Sequence, residues 1–165
     1  MNSLDDVSMF INARVGNFIV LMARILMSSS MIFYGCQKFV DISLFTSNYA
    51  TMRLMQFIAN GLPCPLWFAY ANAGFQLLAG LMVLVGFKGR WAAGALTVWL
   101  IALTYLGHPY WMMSGYERLF NESMFYRNLG LIAAFAMIFV TGCKRYSIDY
   151  FLNQNSPINP YNPAD

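Results

Sequence analysis

Residues Gly74–Leu96 read GFQLLAGLMVLVGFKGRWAAGAL. An apolar run closes at Gly86, a short turn carries Lys88 and Arg90, and a second apolar run opens on Trp91 with the small residues Ala92, Ala93, Gly94 and Ala95. Crossing the roughly 30 Å hydrocarbon core of a bilayer takes about 20 helical residues. The stretch therefore reads as the ends of two membrane spans joined by a tight basic turn, an antiparallel hairpin.

Working outward, four segments have this character: residues 15–35, 66–86, 91–107 and 125–142. Each ends at or beside a glycine (Gly35, Gly86, Gly107, Gly142), the residue that most readily leaves a helix in the left-handed conformation. Small residues recur at helical spacing, Ala69 with Ala73 and Gly130 with Ala134, where they let helix backbones approach closely. The expected fold is an all-α antiparallel bundle of four transmembrane helices, one domain over residues 1–149, followed by an Asn/Pro-rich tail over 150–165. In that tail Pro157, Pro160 and Pro163 recur every third residue, as in a disordered segment or an extended strip laid on a partner.

Composition agrees. Of 165 residues 59% are hydrophobic and only 10% charged, with mean hydropathy +0.51, whereas soluble domains carry roughly a quarter charged residues. A net charge of +3, with no basic run, argues against nucleic-acid binding. Asp5 and Asp6 stand where a secretory signal would carry Lys or Arg, so the first apolar segment is expected to be retained as a span. Short connections rich in Lys and Arg stay in the cytoplasm. Arg14, Lys88, Arg90, Lys144 and Arg145 fall on one side and Lys38, Arg53 and Arg118 on the other, which places both termini in the cytoplasm of a bacterial inner membrane.

Two longer connections lie on the opposite side. In SNYATMRLMQFIANGLPCP, Ser47 suits an N-cap, and Phe45, Tyr49, Met52 and Met55 form one stripe before Asn60-Gly61 and Pro63. A short interfacial helix between spans 1 and 2 is expected. The second connection, HPYWMMSGYERLFNES, interleaves aromatics with His108, Glu117 and Arg118, and with the first it suggests a lid over the outer end of the bundle.

The residues that stand out are polar groups inside apolar spans. Arg24 lies near the middle of the first span, where an arginine costs roughly 2.5–3.5 kcal/mol and needs a partner. Gln76, at the midpoint of the second span, is the expected contact, with Ser28 and Asn72 one turn away on each helix. Arg24 then serves either as a helix fastener or as part of a ligand site completed by an anion or a quinone carbonyl. Tyr34, His108 and Arg127 cluster near the outer end, where His108, which titrates near neutrality, suits a proton relay. The candidate ligand-binding set is Arg24, Ser28, Tyr34, Asn72, Gln76, His108 and Arg127. Lys38 and Asp41 read as a solvated surface pair. His108 is the single histidine, which excludes a multi-histidine metal or haem site. Cys36 and Cys64 share the outer, oxidising side and are a candidate disulfide if the chain returns within about 7 Å. Cys143 reads as a free thiol.

These landmarks resemble the DoxX family of small four-span bacterial membrane proteins. The matching stretches are Arg24 with YGCQKF, GLPCP, the hairpin quoted above, FYRNLGLIAAF and GCKRYSID, from about Arg14 to Asp149. The resemblance implies the four-helix fold and association with redox or stress-response proteins. A DoxD-type relative is a membrane subunit of a thiosulfate:quinone oxidoreductase. Relatives commonly carry a glutamate where this chain has Gln76, so an ion pair with Arg24 is lost here. The expected function is a non-catalytic accessory subunit of a respiratory or oxidoreductase assembly, packed against other membrane subunits with the 150–165 tail as a candidate contact, and lining a site for quinone or lipid with no intrinsic cofactor. Alternatives are a quinone-linked oxidoreductase subunit with its own head-group site and a stand-alone small-molecule binding or carrier protein.

Overall fold

The computed structural model describes residues 3–41 and 66–153, with side chains from Arg14 onward. Five α-helices follow in chain order: α1 (Ser3–Val40), α2 (Leu66–Val85), α3 (Gly89–Gly107), α4 (Gly115–Thr141) and the short α5 (Ile148–Asn153). A 3-10 turn, Tyr110–Met112, joins α3 to α4. Helices α1 to α4 are long and apolar enough to cross a membrane, and no strand occurs among the described residues. The protein is an all-α membrane bundle. The expected interfacial helix, with Ser47 and Cys64, lies outside the described residues.

Helix bounds differ from the hydropathy runs. The first span continues to Val40, and the fourth helix begins at Gly115, ten residues before its apolar run. The segment expected to form part of a lid, GYERLFNES, is thus the opening of α4. Residues 150–153, expected to begin the tail, complete α5.

Where lipid is as apolar as the side chains, close packing must hold the helices together. A Cβ on Gly35 would lie 3.1 Å from Leu77 Cβ, and one on Gly80 would lie 3.0 Å from Met31 Cβ, so α1 and α2 meet almost backbone to backbone. A Cβ on Gly94 would come within 2.8 Å of the Phe139 ring, which joins α3 to α4 in the same way. Ala69, Ala73 and Ala93 are fully buried. Gly130 departs from this pattern: nothing lies within 4 Å of its would-be Cβ. The core between the pairs is Met27, Met31, Val83, Leu96, Leu100, Phe135 and Ile138.

One end of the bundle is tied by Arg24, and here the expected Arg24–Gln76 contact is corrected. Arg24 is fully buried. Its Nε donates to Val83 O at 3.0 Å and Nη2 to Leu84 O at 2.6 Å, while Nη1 donates to Cys143 O at 3.0 Å and Tyr146 O at 2.6 Å. Val83 and Leu84 belong to the last turn of α2, where carbonyls lack intrahelical donors and the helix dipole is negative. The negative end of a helix and the chain after α4 satisfy the guanidinium; no side chain is needed. Arg24 is level with the C-terminal ends of α2 and α4, and it looked central only because apolar sequence continues N-terminal to it, where Val15, Phe18 and Ile19 are exposed.

The same end locks the hairpin turn. Asp149 accepts from Lys88 N at 2.7 Å and Gly89 N at 3.0 Å, capping α3 from a distant part of the chain, and its own N–H donates to Gly86 O at 2.9 Å. Gly86 has φ +71°, and a Cβ there would lie 2.4 Å from Ser147 Cβ and 2.7 Å from Arg24 Nη2. Glycine is obligatory on both counts.

Candidate functional site

Tight pairing of α1 with α2 and of α3 with α4 leaves α1 and α4 in little contact. Between them opens a cavity of about 920 Å³, at the upper end of the range for small-molecule sites. Its walls are mainly Leu, Met, Phe and Trp, including Met27, Met31, Trp99, Leu100, Leu103, Phe120 and Leu131. Polar groups enter it from four elements: Ser30, Tyr34 and Lys38 on α1, Gln76 on α2, His108 just after α3, and Tyr116, Glu117, Asn121, Arg127 and Asn128 on α4.

Lys38 is turned inward. Its ammonium donates to Gln76 Oε1 at 2.5 Å and stands 5.4 Å from the centre of the Trp99 ring, an inward contact that a lysine read as part of a solvated pair with Asp41 was not expected to make. Gln76 Nε2 points to Met31 Sδ at 3.7 Å. Trp99 is held by Nε1 donating to Asn72 Oδ1 at 2.8 Å. His108 Nδ1 is 2.9 Å from Asn121 Oδ1, and the Asn121 amide nitrogen donates to Glu117 O at 2.9 Å. The amide must therefore present its oxygen to His108, so Nδ1 carries the hydrogen and Nε2 keeps its lone pair when the ring is neutral. Arg127 lies over the Tyr34 ring at 6.0 Å and beside Met124 Sδ at 2.6 Å; no carboxylate partners it among the described residues.

Lys38 is fourteen residues from Arg24 and Arg127 fourteen from Thr141, so both lie about 21 Å from the tied end at 1.5 Å per residue. The polar groups therefore share the half of the bundle away from the tied end, and Leu26, Met27 and Leu131 line the part nearer to it. The arrangement can hold a molecule with an apolar body and an oxygen-bearing head: cationic donors from Arg127 and Lys38, a proton acceptor in His108, and aromatic faces in Tyr34 and Trp99.

Four of the seven candidate residues, Tyr34, Gln76, His108 and Arg127, line this cavity. Arg24 is fully engaged at the other end. Ser28 and Asn72 are buried outside the cavity lining; Ser28 Oγ and Asn72 Nδ2 have no hydrogen-bond partner among the described residues, nor does Thr104 Oγ1. Cys36 is exposed on α1, and its candidate partner Cys64 is outside the described residues. Cys143 is a buried free thiol whose pKa burial pushes up. Sequence reasoning missed Lys38, Asn121 and Asn128; a lysine one residue from the end of an apolar run gives no signal of turning inward.

The family profile described as DoxX matches residues 19–109, more than half of the chain. The inner membrane protein YphA of Escherichia coli strain K12 is 25% identical over 131 residues, covering 79% of this chain and 88% of that protein. No solved structure matches. Lys38, Gln76 and His108 fall within the family match, and the α4 wall with Asn121 and Arg127 lies beyond it.

Proposed function

The chain belongs to the DoxX family of membrane proteins, and from that premise we propose that it is an inner-membrane accessory subunit of an oxidoreductase assembly that holds the head of a quinone-type carrier in the cavity between α1 and α4. One observation carries the proposal. A cavity of about 920 Å³, apolar along its length, gathers Lys38, Gln76, His108 and Arg127 at its outer half. Arginine within a membrane helix without an acidic partner is costly unless it serves a site, and a carbonyl oxygen is an acceptor that Arg127 lacks among the described residues.

A bound quinone supplies two-electron, two-proton redox chemistry, with electrons delivered by a partner subunit. The residues of this chain bind and orient the head by donation from Arg127 and Lys38, stack against it with Tyr34 and Trp99, and hold a proton near it at His108 Nε2. Association with partner helices is supported by Val15, Phe18 and Ile19, apolar and exposed beyond the level at which Arg24 ties the bundle. Both termini on the cytoplasmic face is the orientation that the basic residues at the tied end favour.

The test is quinone content of the protein purified in mild detergent. Arg127→Gln removes a charged donor worth about 1.5–3 kcal/mol, so quinone affinity should fall about tenfold or more. A fully folded Arg127→Gln variant with undiminished quinone would refute the assignment.

A further inference from the structure

We infer that the cavity fills sideways from the bilayer, between α1 and α4, and that Gly130 is the threshold over which the ligand's hydrocarbon tail lies. The inference rests on the quinone-type reading of the cavity and adds the shape of the ligand: a polar head carrying a long apolar tail that stays among the lipid chains.

Three observations support it. First, α1 and α4 are the neighbours that barely meet, so their seam is the open side of the bundle. Second, residues lining the cavity are at the same time exposed on the outer surface. Leu26 is 72% exposed and Tyr34 41% on α1, and Phe120 is 47% exposed on α4, where Gly130 is exposed too. Gly130 lies eleven residues before Thr141, about 16 Å along the helix, near the middle of roughly 30 Å of hydrocarbon. An opening at that depth faces lipid, and a water-borne solute would have to cross hydrocarbon to reach it.

The third observation is Gly130 itself. Glycine inside a helix is unfavourable compared with alanine, and Gly35, Gly80 and Gly94 each justify it by close contact with a facing helix. Gly130 has no such contact, yet it lines the cavity. What the missing side chain leaves is space at the seam. Leu26 and Leu131 flank the deeper part with apolar surface, the chemistry of an acyl or isoprenoid tail rather than of a second polar group.

Because the tail occupies the threshold in the bound state, closing it weakens binding at equilibrium as well as slowing it. The full-length chain in detergent is incubated with a tail-less dimethoxy-methylbenzoquinone or with the same head carrying a decyl chain, and bound ligand is counted by native mass spectrometry. Gly130→Trp fills the threshold, and Gly130→Leu, a smaller obstruction, guards against misfolding; size-exclusion and circular dichroism confirm the fold of each. Occupancy by the tailed head is expected to fall about tenfold or more in Gly130→Trp, and less in Gly130→Leu, while the tail-less head binds both variants as it binds the wild type. Equal binding of the tailed head by wild type and both variants overturns sideways filling and leaves the quinone reading standing. Loss of both heads from a folded Gly130→Trp protein places Gly130 at the head instead and overturns the threshold. Failure of both heads to bind the wild type removes the quinone reading and this inference together.

Discussion

Replacing Arg24 by methionine removes a guanidinium and keeps a long flexible side chain of comparable reach. Four carbonyl oxygens lose their donor: Val83 and Leu84 at the end of α2, and Cys143 and Tyr146 after α4. The Leu84 and Tyr146 contacts are only partly buried, so water can reach those oxygens. The Val83 and Cys143 contacts are buried, and each carbonyl left dry costs about 1–3 kcal/mol. Removing the ion also relieves its own dehydration, which returns part of that cost. The net destabilisation expected for Arg24→Met is about 2–4 kcal/mol. Arg24→Lys keeps the charge but concentrates its donors at one point, so it can serve α2 or the 143–146 segment and not both; about half of the loss should remain. Unfolding by titration with SDS in mixed micelles, followed by circular dichroism, measures both variants. Stability of Arg24→Met within about 0.5 kcal/mol of wild type, the range of a neutral surface change, would refute the fastening role. Quinone content gives the second readout: a folded Arg24 variant should keep its ligand, because Arg24 is absent from the cavity lining.

Other predictions follow from the same geometry. Gly86→Ala should unfold or rearrange the tied end, since its Cβ would meet Ser147 Cβ at 2.4 Å and φ is +71°; the SDS titration reads this, and a wild-type midpoint would contradict the turn geometry. Asp149→Ala removes the remote cap of α3 and should cost about 1 kcal/mol, the usual worth of an N-cap, in the same assay. In a Cys64→Ser background, N-ethylmaleimide should modify Cys36 in the native detergent-solubilised protein and Cys143 only after denaturation, because Cys143 is buried and its raised pKa depletes the reactive thiolate. Mass spectrometry of the peptides decides, and rapid native labelling of Cys143 would place it elsewhere. Phe18→Asp with Ile19→Asp should abolish co-purification with partner subunits while leaving the quinone content of the isolated chain unchanged; retained partners would exclude that surface from the interface.

The helices were legible in the sequence because a membrane demands long apolar runs, and the hairpin because a basic turn between two such runs has one simple geometry. What escaped was whatever depended on main-chain groups or on distant partners. The acceptors for Arg24 are carbonyls at residues 83, 84, 143 and 146, which no side-chain pattern reveals, and Asp149 caps a helix that begins sixty residues earlier. Depth was misjudged for a related reason. The midpoint of an apolar run locates the middle of a span only if the whole run lies in the bundle, and α1 carries exposed Val15, Phe18 and Ile19 on the far side of Arg24. Within the cavity, Tyr34, Gln76, His108 and Arg127 were legible as polar residues in apolar surroundings. Lys38 was not, because from sequence a lysine beside an aspartate at a helix end points to water.

The two arginines of the spans separate structure from function more sharply than either does alone. Both stand in helices whose surroundings are hydrocarbon, so both need acceptors. Arg24 has four, all from the main chain, and its burial is complete; no donor capacity is directed into the cavity. Among the described residues Arg127 has an aromatic face and a thioether, neither of which satisfies five N–H donors, and it borders the cavity between α1 and α4. A glutamate at position 76, which the family resemblance leads one to expect, would face Lys38 here, not Arg24, because Lys38 is the residue that Gln76 meets. Gln76→Glu should therefore draw Lys38 into an ion pair and reduce the positive charge offered to a ligand head, while the Arg24 fastening, some 20 Å away, holds as before. Reduced quinone affinity at unchanged SDS stability is the expected result. An effect on stability equal to that of Arg24→Met would mean that the two polar ends are not independent.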